Sequence, residues 1–397
     1  MRLFRVVLIF LALLAAAALA APQPQKQVLR PEGFQPRFPS SPGVIARELV
    51  WVAGQGSRDP RTGQHPATFE DQVRQAIENV RIVLQAGHLD LSHAVSCHVY
   101  LDDLENYGRM NAVYGKLFTE SPPVRTTIAV PALPDDSHLE VTCIAARDKA
   151  SKKAVFRGGT PPARPGLFPN GMRIGDWLFT SGVGSRNPAT GRHPEGFEAQ
   201  VKQVMETLGA VLQAGGVGFS EVVWANLYVD DAQNVPVMEK VYDGYFTGAR
   251  KPGRTVSIVS RIPGDSHVEI TLLAQVGHEP GPAAAPGLGP RVIGKNAGVL
   301  AGHTLFLSAH SSGGRTVEDQ VKGTLKKLKK ALGAAGMNFS HVVKAHVYLK
   351  DLADFPRMNA VYRAHFPRDP PARTTVQIKQ PGSAPEGLVE ISFVAVK

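Results

Sequence analysis

The chain has 397 residues, 43% of them hydrophobic, with two cysteines and a formal net charge of +10. Two isolated cysteines exclude a cysteine-built metal site, and the length is enough for several units that each bury a core of their own. The positive balance suits an anionic partner, but its densest run, Lys326-Lys327-Leu328-Lys329-Lys330, reads as a solvated helix face and has no interleaved aromatics to stack bases, so no nucleic-acid partner is expected.

In chain order, Arg2 and Arg5 precede an apolar run from Val6 to Leu19 and then Ala18-Leu19-Ala20. A charged start, an apolar stretch and small residues at a cleavage point are the order of an export signal, and the run is shorter than the ~20 residues of a spanning helix. Residues 1–20 are therefore expected to be a signal peptide that leaves no membrane anchor after cleavage, and the protein is expected to be exported, periplasmic or secreted. Residues 21–41 form a Pro/Gln-rich leader expected to lack regular structure.

One pattern then recurs three times, over 42–147, 167–276 and 291–397, separated by Gly/Pro-rich linkers at 148–166 and 277–290. Strand-like runs ending at a glycine turn, Leu49-Val-Trp-Val-Ala-Gly54 and Trp177-Leu-Phe-Thr-Ser-Gly182, lead into a long helix. Its apolar stripe is Val73, Ala76, Ile77, Val80, Val83 and Leu84 in the first copy. The second copy repeats it as Val201, Val204, Met205, Leu208, Val211 and Leu212, and the third matches at Val321, Leu325, Leu328, Ala331 and Leu332. This is the periodicity of a helix that covers one apolar face. An alternating strand follows, such as Ser96-Cys-His-Val-Tyr-Leu101, and then a short helix, Met110-Asn-Ala-Val-Tyr114 or Met358-Asn-Ala-Val-Tyr362. The predicted unit is β-β-α-β-α-β, an α+β fold with helices on one face of a mixed sheet, so the other face needs a partner. Cys97 and Cys143 alternate with aliphatic residues and read as small buried hydrophobes; an oxidising compartment permits a disulfide, but nothing in the sequence pairs them.

Each copy ends on an arginine segment and a glutamate strand. The arginines stand in Pro-Pro-Val-Arg125-Thr-Thr, Lys-Pro-Gly-Arg254-Thr-Val and Pro-Pro-Ala-Arg373-Thr-Thr, the glutamates in Leu139-Glu140-Val141, Val268-Glu269-Ile270 and Val389-Glu390-Ile391. The Arg-to-Glu spacing is the same in the first two copies and two residues longer in the third. A strand-borne arginine can hold a carboxylate through two parallel charge-assisted hydrogen bonds, and a nearby glutamate can move protons to and from water. An ordinary ion pair joining repeats is the structural alternative.

These residues resemble the reactive intermediate (imine/enamine) deaminase family, also called the liver perchloric-acid-soluble or endoribonuclease-like family. The likeness rests on the Ser-Gly turn, Gln72/Gln200/Gln320 on the long helix, Asn-x-x-Tyr, Pro-x-Arg-Thr and Val-Glu-Ile, and covers nearly the whole chain after residue 41. It implies a chorismate-mutase-like fold, usually trimeric with sites between subunits, so three linked repeats would form an intramolecular pseudo-trimer, sheets inside and helices outside, as a monomer by chain count. It implies hydrolysis of 2-imino or 2-enamino acids to 2-keto acids without a cofactor or metal, with the pairs Arg125/Glu140, Arg254/Glu269 and Arg373/Glu390 at the catalytic positions. Substrate contacts are implied at Gly54, Asn111, Thr127, Phe168, Ser181, Gly182, Ser308 and Asn359, with the turn amides of Gly54, Gly182 and Ala309 aiding the carboxylate. Departures from the pattern are Ala53 for serine in copy 1, Glu239 for asparagine in copy 2, and Ser308-Ala309 in copy 3. The added anion Glu239 opposes a carboxylate substrate. Export implies an imine source outside the cytoplasm, such as an amino-acid oxidase. The competing readings are a non-catalytic small-carboxylate binding module and an endoribonuclease; no histidine pair recurs at common positions to support the latter. His138 and His267 are read as surface residues because copy 3 has Leu388 there.

Overall fold

A computed structural model describes residues 26–34, 37–159, 167–248, 250–277, 289–294 and 297–397. The expected signal peptide lies outside the described residues.

Each repeat is built from the same parts. Repeat 1 contains β1 (Gln27–Leu29), β2 (Gly43–Ala46), β3 (Leu49–Val52), β4 (Gln55–Gly56), α1 (Phe69–Gln85), β5 (Ala94–Leu101), α2 (Tyr107–Leu117), β6 (Val124–Ala129) and β7 (Leu139–Ala146). Repeat 2 contains β8 (Lys152–Val155), β9 (Gly171–Ile174), β10 (Trp177–Thr180), β11 (Val183–Gly184), α3 (Phe197–Ala214), β12 (Val222–Val229), α4 (Val235–Gly244), β13 (Gly253–Ile258) and β14 (Val268–Gln275). Repeat 3 contains β15 (Arg291–Ile293), β16 (Gly298–Ala301), β17 (Thr304–His310), α5 (Val317–Ala334), β18 (Val342–Leu349), α6 (Phe355–Arg363), β19 (Ala372–Gln377), β20 (Gln380–Pro381) and β21 (Val389–Val396). The sheets are mixed: the arginine strand runs parallel to its neighbour (β5–β6, β12–β13, β18–β19) and the other pairings are antiparallel. In repeat 1 the order is β1-β2-β3-β7-β5-β6. The glutamate strand β7 is thereby central, which buries both its faces.

The long helices start where capping chemistry allows. Thr68 accepts from the Asp71 N–H and Thr316 from the Asp319 N–H, each satisfying an orphan amide of a first turn that also carries acidic residues. Their apolar stripes are fully buried against the sheet of the same repeat, giving one helix–sheet core per repeat. Two further clusters draw on all three repeats. One joins Val44, Trp51, Met172, Trp177, Val223, Val299 and Phe306; the other joins Tyr100, Tyr228 and Tyr348 with Ile128, Val259 and Val376. The sheet faces that lack helices thus cover one another, removing from water an area no single repeat can hide.

Three regions differ from expectation. The leader is not wholly irregular: β1 pairs with β2, and Lys26 donates to the Val342 carbonyl of repeat 3 at 2.7 Å. Part of the first linker is β8, which extends the sheet of repeat 2 by pairing with β9. Residues 160–166 and most of the second linker lie outside the described residues. Finally, Cys97 and Cys143 are both buried and joined by a disulfide. They face each other directly across β5 and β7, with Cα atoms 4.2 Å apart. Antiparallel register, invisible in the sequence, brings them together.

Candidate active site

The arginine and glutamate of one repeat do not form one site. Each arginine instead meets the glutamate strand of the next repeat in cyclic order, which corrects the within-repeat pairs expected from sequence. The main chain fixes this: the Gly182 N–H donates to the Arg125 carbonyl at 3.0 Å and the Gly54 N–H to the Arg373 carbonyl at 3.1 Å. On the other side, the Arg125 N–H donates to Ser181 Oγ at 3.2 Å and the Arg254 N–H to Ser308 Oγ at 3.2 Å. The turn amides of Gly54 and Gly182 are therefore spent on the neighbouring strand rather than turned to a substrate.

At the junction of repeats 3 and 1, the missing turn serine is replaced. Ala53 stands in its place, and the Arg373 N–H donates instead to Ser40 Oγ at 3.0 Å. Ser40 lies in the leader, a region that offers no periodic signal, which is why the sequence gives no hint of it. Glu140 is buried across from Arg373, and Gly54 is required beside it: a Cβ there would sit 1.7 Å from Glu140 Oε1. That oxygen has no hydrogen-bond partner among the described residues. Burial pushes the Glu140 carboxyl up to about 8, against the pull of Lys344 and Arg373. Lys344 is itself buried and donates to Val52 O, Thr142 Oγ1 and Thr374 Oγ1 at 2.7–2.8 Å. The Arg373 side chain lies beneath Tyr362 and Phe355, with its guanidinium carbon 4.9 and 5.6 Å from their ring centres. Among the described residues no carboxylate lies within ion-pair distance of it, and its Nη1 has only Met358 Sδ at 3.9 Å. Desolvation lowers its pKa to about 10. Arg373, Thr375, Gly54 and Glu140 open together onto a cavity of about 290 Å³.

At the junction of repeats 1 and 2, Arg125 donates to Asn111 Oδ1 at 2.6 Å and to Tyr107 Oη at 3.3 Å. The Phe168 ring of repeat 2 covers its guanidinium at 4.6 Å. Glu269 is buried opposite, raised to about 8 by desolvation, with the Thr127 N–H and Arg125 acting the other way. Gly182 leaves its carboxylate room, since a Cβ would lie 2.1 Å from Oε1.

The junction of repeats 2 and 3 is different. Arg254 is held by Glu239 at 2.6 Å and by Asp243 at 2.8 Å, both from α4 of its own repeat. Glu239 does more than add repulsion; it occupies the guanidinium. Asp243 was not foreseen, although its position is legible: it follows the short helix's tyrosine, where repeats 1 and 3 have Gly115 and Arg363. On the far side, Ala309 replaces the glycine, and the Ser383 hydroxyl donates to Glu390 Oε1, while Oε2 has no partner among the described residues. Ser383 belongs to the segment around the repeat-3 insertion, which also adds β20 to the edge of β13. Burial raises Glu390 to about 7, with Ser383 opposing. Asn359, on α6 near Arg373, keeps a buried Oδ1 without a partner among the described residues. His138 and His267 are more than half exposed and pair with Asp102 and Asp230.

The endoribonuclease L-PSP family model matches residues 32–147, 160–276 and 291–397. A RutC family protein of Pyrococcus horikoshii is 35% identical over 115 residues, which is 29% of this chain and 91% of that protein. Protein DfrA of Myxococcus xanthus is 40% identical over 103 residues, 26% of this chain and 79% of the relative. The 2-iminobutanoate/2-iminopropanoate deaminase of Escherichia coli K12 is 33% identical over 108 residues, 26% of this chain and 84% of that enzyme. Each relative corresponds to about one repeat.

Proposed function

This chain belongs to the endoribonuclease L-PSP family, and from that premise we propose that it hydrolyses 2-imino or 2-enamino acids to 2-keto acids and ammonia. The observation that carries the proposal is the Arg373–Glu140 cavity: a buried guanidinium with no carboxylate at ion-pair distance among the described residues, facing a buried carboxyl whose Oε1 has no partner among them. A substrate carboxylate supplies the counter-charge that a buried arginine needs, in two parallel bonds. Water then adds to the imine carbon, Glu140 accepts its proton and returns a proton to nitrogen, and the amino alcohol expels ammonia as the C=O bond forms. A pKa of about 8 suits both halves of that transfer near neutral pH.

In this reading a single chain supplies all three junctions and works as a monomer. The amino-terminal signal proposed from residues 1–20 would place it outside the cytoplasm, with an amino-acid oxidase as a source of imine. The test couples purified mature protein to such an oxidase in the presence of a semicarbazide trap. Acceleration of keto-acid release by wild type and its loss in Arg373→Ala support the proposal. Wild-type protein that binds a keto acid yet accelerates nothing would instead establish a carboxylate-binding module.

A further inference from the structure

The cavity at the junction of repeats 3 and 1 extends well beyond Arg373 and Glu140. Its outer chamber is walled by Phe34, Phe38, Phe355 and Pro134, with Arg37, Arg58, Asp59 and Asp135 at the rim. Phe34 and Phe38 come from the leader. Phe38 packs edge-on against Phe355, with ring centres 4.9 Å apart. The matching aromatic of repeat 2, Phe168, lies directly over Arg125 instead. The leader therefore moves an aromatic ring from the arginine to the wall of a chamber and leaves space between them.

From this we propose that the chamber is a side-chain pocket that selects 2-imino acids carrying an aromatic side chain; the inference rests on the deaminase reading of the same site. Three features support it. At about 290 Å³ the cavity approaches the size of small-ligand pockets and far exceeds what a methyl side chain fills. Its lining includes three phenylalanine rings and Pro134, groups that pack against a planar side chain by offset or edge contacts. Its rim arginines are already engaged. Asp135 pairs with Arg37 at 2.5 Å and approaches Arg58 at 3.5 Å, while Asp59 is held by Arg61 at 3.1 Å. A pocket for a second substrate carboxylate needs an uncommitted cation, and both rim arginines already meet Asp135.

Imines generated by an oxidase from phenylalanine, alanine and glutamate test the assignment in wild type and Phe38→Ala. The expected result is a kcat/KM for the phenylalanine-derived imine ~10-fold or more above the alanine-derived one, the range a hydrophobic pocket commands. In Phe38→Ala that ratio should fall several-fold while the alanine-derived rate stays near wild type. Preference for the glutamate- or alanine-derived imine, or equal loss on all three in Phe38→Ala, overturns the proposal. Calorimetry with phenylpyruvate and pyruvate separates this inference from the activity. Phenylpyruvate binding tighter than pyruvate, and selectively weakened by Phe38→Ala, upholds the pocket even where no imine is turned over. Equal affinities reject it even where turnover is observed.

Discussion

The junction of repeats 3 and 1 and the junction of repeats 2 and 3 began from one pattern and have reached opposite states. In the first, Arg373 has no carboxylate within ion-pair distance among the described residues and faces a cavity with Glu140, and the leader supplies both a replacement hydroxyl in Ser40 and a chamber wall. In the second, Arg254 is neutralised by Glu239 and Asp243, and Glu390 is bonded to Ser383. A homotrimer cannot do this, because one substitution changes all its sites at once. Joining three copies in one chain frees each junction to keep ligand chemistry or exchange it for internal ion pairing. The junction of repeats 1 and 2 lies between, with Asn111 and Phe168 on Arg125 but, among the described residues, no carboxylate within ion-pair distance of it.

The largest expected effect that sharpens the contrast is on proton transfer. Glu140→Gln should lower kcat by about 10²–10⁴-fold with keto-acid affinity nearly intact. Glu390→Gln should leave kcat within a factor of about two, since its carboxyl already serves Ser383. Next comes carboxylate binding. Arg373→Ala should weaken substrate and keto-acid affinity ~10- to 100-fold, the value of a charge-assisted contact. Arg254→Ala should leave affinity unchanged and affect only thermal stability, as it strands Glu239 and leaves Asp243 with Lys251 alone. Comparable losses in both arginine variants, read by steady-state kinetics, would break the comparison.

The pH profile is a third test. A carboxyl raised to about 8 is mainly protonated at pH 7, so the base form is a minority there and grows as pH rises. The Glu140-dependent kcat should climb between pH 6 and ~8 and then level, and Glu140→Gln should remove that limb. The same shift has a stability consequence. Above the unfolded value of 4.5 the unfolded chain has lost a proton that folded Glu140 retains, so this group's contribution falls with pH from that value until about 8 and is then constant. The smallest effect concerns Ser40. Ser40→Ala should cost about 1 kcal/mol by removing one neutral acceptor from the Arg373 amide, while Ser40→Ala with Ala53→Ser should restore much of it. Denaturant unfolding of the two variants measures both.

Sequence by itself determined the repeat, the order of elements and the charged residues, because these rest on local periodicity and on residue types that recur in each copy. The stripe of α1 and the alternation of β5 need only their own neighbours to be recognised. The cost of Glu239 to a carboxylate site was legible for the same reason, as a single departure in a repeated motif. Tertiary structure alone decided which glutamate each arginine faces, since the pairing is made by strands of different repeats and nothing in the spacing distinguishes inside from across. It also decided that Cys97 and Cys143 meet through antiparallel register, and that leader residues Phe38 and Ser40 complete a site more than three hundred positions away in the chain. Such contacts depend on how packed surfaces close around a shared core, and a linear pattern holds no record of distance through space.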